Sequence, residues 1–199
     1  MLKKLITRKN LYIPIKWFIW ISLIIAIFGA IKNSDFLMLF IVVLAFLLTL
    51  TPLFFKKLNI YFFQELELML ISFVYAALFL GEIREYYYIY WWWDILMHGS
   101  FAIAAGFISL RVLYAMDKKS GFKFNVSFLA FLAFCIVMTA GAMWEIFEFT
   151  IDQIFEAGMQ KSGLVDTMVD FIIDAVGALV AVIFGYFYIK QGRKTGGLS

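Results

Sequence analysis

Six apolar stretches, each long enough to cross a bilayer, constrain this chain more than any other feature. They run from about 17 to 31, 36 to 55, 66 to 80, 95 to 114, 124 to 148 and 165 to 189, and a hydrocarbon core about 30 Å thick is spanned by roughly 20 helical residues. Hydrophobic residues make up 64% of the 199 positions and charged residues 16%. A water-soluble domain of this length has no core that could absorb so much apolar side chain. Prolines number only 2, which suits long uninterrupted helices. The pattern predicts an all-α polytopic membrane protein, a single membrane domain over residues 1–199 with about six transmembrane helices.

Basic residues set the expected orientation. Lys3, Lys4, Arg8, Lys9, Lys16, Lys56, Lys57, Arg111, Lys118, Lys119, Lys123, Lys190, Arg193 and Lys194 fall on one side, whereas only Lys32, Arg84 and Lys161 fall on the other. The positive-inside rule then predicts cytoplasmic N and C termini in a cell membrane. The first stretch resembles a secretion signal in length, but Phe28 two before Ala30 breaks the small-x-small cleavage pattern, so a retained anchor is expected. The net charge of +3 is spread beside hydrophobic segments, which argues for membrane orientation and against nucleic-acid binding. With one cysteine, Cys135, the chain has no intrachain disulfide, thiolate metal site or redox pair.

Acidic residues divide the opposite way. Asp35, Glu82, Glu85, Asp94, Glu145, Glu148, Asp152, Glu156, Asp166, Asp170 and Asp174 map to outer loops or outer helix halves. Acids contribute little to topology, so this enrichment needs another cause. Water contact explains Asp35, Glu82, Glu85 and Glu156. The run Tyr86, Tyr87, Tyr88, Tyr90, Trp91, Trp92 and Trp93 reads as an interfacial aromatic belt.

The remaining acids lie within or at the ends of the last three helices, where a charge in hydrocarbon costs roughly 2.5 to 3.5 kcal/mol. Asp94 and His98, the only histidine, are four apart and share a helix face. Glu145 and Glu148 are three apart, with Asp152 a turn further out; Asp166, Asp170 and Asp174 recur every four residues. That last ladder covers about 12 Å at 1.5 Å per residue. Continuing inward, the same faces carry Ala102, Ala105, Gly106 and Ser109, then Ala133, Ala140 and Gly141, and Gly177, Ala178, Ala181 and Gly185. Small residues let helix backbones approach closely, so the charged faces are expected to meet one another and not lipid. Gathered carboxylates need protons, a basic partner or a cation. No Lys or Arg lies in these polar stretches, leaving His98, with Arg84 or Lys161 from loops. Oxygens with one imidazole suit a divalent ion such as Mg²⁺, Mn²⁺, Zn²⁺ or Ca²⁺. His98, Glu145, Glu148, Asp170 and Asp174 are the expected ligands. A purely structural hydrogen-bond network fixing helix register is the alternative.

Trp92-Trp93-Asp94-Ile95-Leu96-Met97-His98, Trp144-Glu145-Ile146-Phe147-Glu148, Asp166-Thr167-Met168-Val169-Asp170 and Asp174-Ala175-Val176-Gly177-Ala178 resemble YjdF-like bacterial inner-membrane proteins of unknown function. More distantly the pattern resembles VanZ-type membrane proteins, which carry an Asp-x-x-x-His helix, a Glu-containing helix and a final Asp-x-x-x-Asn-x-x-Gly helix. The resemblance covers about 91 to 185. Asp174 stands where VanZ-type proteins often have Asn, and Glu148 where they have Gln, which implies a more acidic site here. Some members imply an envelope role linked to antibiotic or lipid-related stress.

Three functions stay open. The first is an intramembrane enzyme with an outward-facing site, acting on a lipid headgroup or envelope precursor through His98, oriented by Asp94, with Glu145 and Glu148 in metal-assisted or acid–base roles. Ser100 and Thr167 lie nearby without a nucleophile motif, so water is the expected nucleophile. The second is a proton- or cation-coupled transporter; the third is a non-catalytic envelope assembly factor. Membrane lipids are the expected surroundings in each case.

Overall fold

In a computed structural model the described residues are 2–57, 64–121, 124–155, 158–160 and 162–195, all of them helix, turn or irregular chain. Lys123, Glu156 and Lys161 lie outside them. Among the described residues six helices are long and apolar enough to span a membrane: Tyr12–Lys32, Phe36–Phe54, Leu66–Ile83, Trp93–Ser120, Val126–Ile154 and Leu164–Arg193. These are the six expected stretches, with the last three extending further than their apolar cores. The chain divides into two compact units, Met1–Trp93 and Asp94–Ser199, with three spans in each.

In the first unit, α1 (Leu2–Lys32) turns into α2 (Phe36–Thr49) through three residues. Ser34 takes a left-handed conformation, and Asp35 caps α2 by accepting from the Met38 N–H at 2.9 Å. Leu50 interrupts the helix before α3 (Thr51–Lys57), where Pro52 falls in the first turn and needs no donor. After α4 (Gln64–Val74) the chain widens into a π-helix, Tyr75–Ile83. Ile19, Leu23 and Ala26 on α1, Val42 and Ala45 on α2, Ile71 and Phe79 form the core. Polar groups within it are paired: Trp20 Nε1 donates to Thr49 Oγ1 at 3.2 Å, and Lys16 Nζ meets Glu67 Oε1 at 2.6 Å. The short helix α5 (Tyr86–Ile89) folds back on the π-helix because Gly81 leaves room for the Tyr87 ring, which any Cβ there would overlap. Tyr86 packs edge-on against Tyr90 and Trp93, while Trp91 is 81% exposed, as an interfacial belt requires.

The second unit is built from α6 (Trp93–Ser120), α7 (Val126–Phe155) and α8 (Leu164–Thr195). Close approach of α6 and α8 depends on glycine. A Cβ on Gly177 would come 2.8 Å from the Ala102 Cβ, and one on Gly106 would come 2.6 Å from the Ala181 Cβ. One end of the unit is filled by Leu110, Val126, Leu129, Ala133, Val182 and Ile189, the middle by Ala102, Val137 and Ala178. The other end holds the polar residues.

The apolar end finishes in a latch that the sequence pattern does not reveal. Asp117 is buried, accepts from the Phe124 N–H at 2.6 Å and pairs with Arg193 Nη2 at 2.7 Å. Arg193 also donates to the Phe124 carbonyl at 2.9 Å and lies 5.2 Å over the Tyr114 ring. It can do so because α8 continues past the expected boundary at 189. Asp117 between basic residues in sequence was the available signal: an acid with no topological reason to be there.

Candidate functional site

At the polar end, α6 contributes Asp94 and His98, α7 Glu145 and Glu148, and α8 Asp170 and Asp174. Each pair is three or four residues apart, so each helix presents its two groups on one face about a turn apart. His98, Glu145, Glu148, Asp170 and Asp174 are all buried. They converge on the imidazole. His98 Nε2 is 3.9 Å from Asp94 Oδ1, 3.9 Å from Glu145 Oε1 and 3.9 Å from Asp170 Oδ2. On the opposite edge of the ring, Nδ1 is 3.3 Å from Asp174 Oδ1.

Two of these carboxylates are buried without a hydrogen bond of good geometry: both oxygens of Glu145 and both of Asp174, with Thr167 and Gln160 beside Glu145 and the His98 ring beside Asp174. Their nearest cationic group is His98. Unpaired buried acceptors are rare because desolvation without a partner costs about 1 to 3 kcal/mol, roughly twice the net worth of a hydrogen bond. Asp94, His98 and Asp170 each offer a ligand atom, and those atoms lie within 4.8 Å of one another. A tetrahedral site with bonds near 2.1 Å has ligand-to-ligand edges of about 3.4 Å, so a modest contraction of the 3.9 Å spacings around Nε2 would close on an ion. This Asp94-His98-Asp170 group, half-buried at Asp94 and buried at the other two, could hold a metal ion.

Glu148 stands slightly apart. Its Oε1 accepts from the Trp144 Nε1–H at 2.8 Å, and the Trp144 ring, 43% exposed, stacks near Phe147 at 5.4 Å. The carboxylate is thus held by an indole on an exposed face of α7. Sequence spacing identifies Glu148 but gives no hint of Trp144 as its donor.

Other acids on the same stripes are used elsewhere. Asp152 accepts from the Met159 and Gln160 N–H groups at 2.7 and 2.8 Å, anchoring the α7–α8 connection. Gln160 Nε2 donates to Thr167 Oγ1 at 2.8 Å, and Ser100 Oγ to the Met97 carbonyl at 3.1 Å. The Ser100 hydroxyl is thus engaged within its own helix, whereas Thr167 lies beside Glu145. Arg84, considered as a balancing charge, lies 5.7 Å over the Phe79 ring in the first unit.

Beneath the polar cluster the unit closes. Ala102 and Ala178 lie one turn inward of His98 and Asp174, and with Val137 they are fully buried. Ala105 and Phe134 pack against this layer, so the residues next to the cluster on this side are apolar.

Residues 15–191 match a family described as "Predicted membrane protein (DUF2238)". An uncharacterised protein of Thermotoga maritima is 34% identical over 116 residues, covering 57% of this chain and 58% of that relative. The chain thus matches little more than half the relative's length. No solved structure matches.

Proposed function

The chain belongs to the DUF2238 family of predicted membrane proteins, and from that premise we propose that its second unit is a divalent-metal-dependent intramembrane enzyme in the bacterial cell membrane. Its site opens to the cell exterior and acts on a lipid headgroup or envelope precursor. The observation that carries this reading is the convergence of three carboxylates, Asp94, Glu145 and Asp170, each 3.9 Å from His98 Nε2. Outward placement rests on the Lys and Arg distribution, which puts both termini in the cytoplasm. The pattern shared with YjdF-like and VanZ-type proteins supports an envelope role.

In this reading Asp94, His98 and Asp170 hold the ion. Such an ion would supply Lewis-acid activation of a phosphoryl or carbonyl oxygen of the substrate and would acidify a bound water. Glu145, 3.9 Å from Nε2, takes the water's proton and returns it to the leaving oxygen as that bond breaks. Glu148, steadied by Trp144, faces the incoming headgroup. A cation-coupled transporter would use the same acids, but the apolar layer of Ala102, Val137 and Ala178 favours a pocket open at one end.

The test uses purified protein in vesicles of bacterial lipid with Mn²⁺ or Zn²⁺. Mass spectrometry should detect headgroup release that needs the metal and disappears in Glu145→Gln. No change in any lipid or added envelope precursor, together with acid-dependent ion flux in the same vesicles, would replace the enzyme with the transporter. Neither activity would leave a structural role.

A further inference from the structure

The acidic cluster is not uniform around His98, and that asymmetry assigns Asp174 a separate task. Three carboxylates gather at Nε2, whereas Asp174 alone faces Nδ1. A ring nitrogen can bind a metal through its lone pair only when the other nitrogen carries the proton, and that second N–H is then held by a carboxylate or carbonyl. Asp174 is 1% exposed, and its oxygens have no hydrogen-bond partner among the described residues. Its position is built in from α7 as well: a Cβ on Gly141 would overlap Asp174 Oδ2 and come 3.3 Å from its Cγ. The carboxylate therefore lies against the bare backbone of α7 at one edge and toward the imidazole at the other.

We propose that Asp174 is a positioning residue: seated against Gly141, it accepts the His98 Nδ1–H and turns Nε2 toward Asp94, Glu145 and Asp170. This deepens the metal-site reading above and replaces the sequence expectation that Asp174 is itself a ligand. The 3.3 Å contact is longer than a formed charge-assisted hydrogen bond, about 2.7 to 2.9 Å, and a small rotation of the ring shortens it. Catalytic hydrogen bonds commonly tighten in this way when a site is loaded. Gly141 is part of the same device, since the space that admits the Asp174 carboxylate exists only without a side chain there.

His98 is the only histidine, so protein labelled with ¹⁵N-histidine reports a single ring with no assignment needed. In metal-free protein the expected spectrum shows a proton on Nδ1, with its ¹H shift moved downfield by a strong acceptor. That signal should move or vanish in Asp174→Asn and persist in Asp170→Asn. In the presence of Mn²⁺ or Zn²⁺, Asp174→Asn should keep the bound-metal stoichiometry but weaken affinity roughly 10- to 100-fold, whereas Asp170→Asn should lose the metal. Gly141→Ala, which displaces the carboxylate without changing its charge, should reproduce the Asp174→Asn spectrum and serves if that variant does not fold. An Nδ1 without a proton, or one indifferent to both Asp174→Asn and Gly141→Ala, would overturn the proposal. So would complete loss of metal in Asp174→Asn with an unchanged Nδ1 signal, since Asp174 would then be a ligand. A wild-type protein that binds no metal would refute the enzyme reading while the metal-free spectrum still decides the orientation of the ring.

Discussion

Adding one methyl group at Gly177 tests whether the site depends on backbone contact between α6 and α8. The new Cβ would stand 2.8 Å from the Ala102 Cβ, 3.0 Å from the Gly99 carbonyl oxygen and 3.4 Å from the Ile103 nitrogen. Two of these three neighbours are backbone, and the third is a Cβ with no rotamer to change. Ordinary carbon contacts lie at about 3.5 to 4.0 Å, so the two helices must separate by about 1 Å. Overpacking of this kind destabilises by about 1 to 3 kcal/mol. Asp174 is three residues away on α8 and His98 is adjacent to Gly99 on α6, so the same displacement opens the ring of groups around the imidazole. Misplacement by about 1 Å can cost on the order of 100-fold in a positioned site. We expect Gly177→Ala to unfold earlier than wild type in detergent micelles and to bind Mn²⁺ at least 10-fold more weakly by calorimetry. Gly29→Ala is the control, because a Cβ there meets nothing within 4 Å; it should gain about 0.5 to 1 kcal/mol through the lower backbone entropy of alanine. Unchanged stability and unchanged Mn²⁺ affinity in Gly177→Ala would refute the idea that close backbone approach builds the site.

Further outcomes follow from other parts of the molecule. Arg193→Ala leaves Asp117 buried beside only the Phe124 N–H, and with the arginine partly exposed the expected loss is about 2 to 3 kcal/mol in the same unfolding assay; Arg193→Lys should recover only part, since one ammonium cannot reproduce the contacts to Asp117, the Phe124 carbonyl and the Tyr114 ring. In chelator, Glu145→Gln should raise the melting temperature by removing one buried carboxylate from among like charges; a fall would mean that its attraction to His98 outweighs that repulsion. In a Cys135→Ser background, Trp91→Cys should react with an impermeant maleimide added to intact cells, and Lys119→Cys only after permeabilisation, because exposed Trp91 precedes the start of α6 by two residues and exposed Lys119 lies in its last turn. The reverse pattern would invert the topology.

The spans were legible because uninterrupted apolar length is a one-dimensional property, and α1 through α8 give six crossings where the stretches predict them. Convergence of Asp94, His98, Glu145, Asp170 and Asp174 was also legible: helical spacing assigns each pair to one face, and the small residues inward of them mark the faces that meet. What spacing cannot supply is rotation within the bundle. Asp152 continues the stripe of Glu145 and Glu148, yet its oxygens cap the Met159 and Gln160 backbone, because a stripe near a helix end is equally available to the following loop. The two edges of the imidazole are likewise invisible in sequence, so Asp174 reads there as one ligand among several. Trp144 and Gly141 act through contacts four and thirty-three positions away, to Glu148 and Asp174 respectively. The first is a helical neighbour hidden among ordinary membrane aromatics, the second a glycine that resembles any other packing glycine. The latch between Asp117 and Arg193 joins residues 76 apart and depends on α8 outlasting its apolar segment.

Elemental analysis of the purified protein, paired with X-ray absorption at the edge of whatever metal is found, addresses the central claim most directly. The account predicts a divalent ion in stoichiometric amount, with one imidazole nitrogen and carboxylate oxygens at about 2.0 to 2.2 Å, and its disappearance in His98→Ala and Asp170→Asn. A protein that stays metal-free after incubation with Mn²⁺ and Zn²⁺, and whose stability is unaltered by those two substitutions, would contradict it.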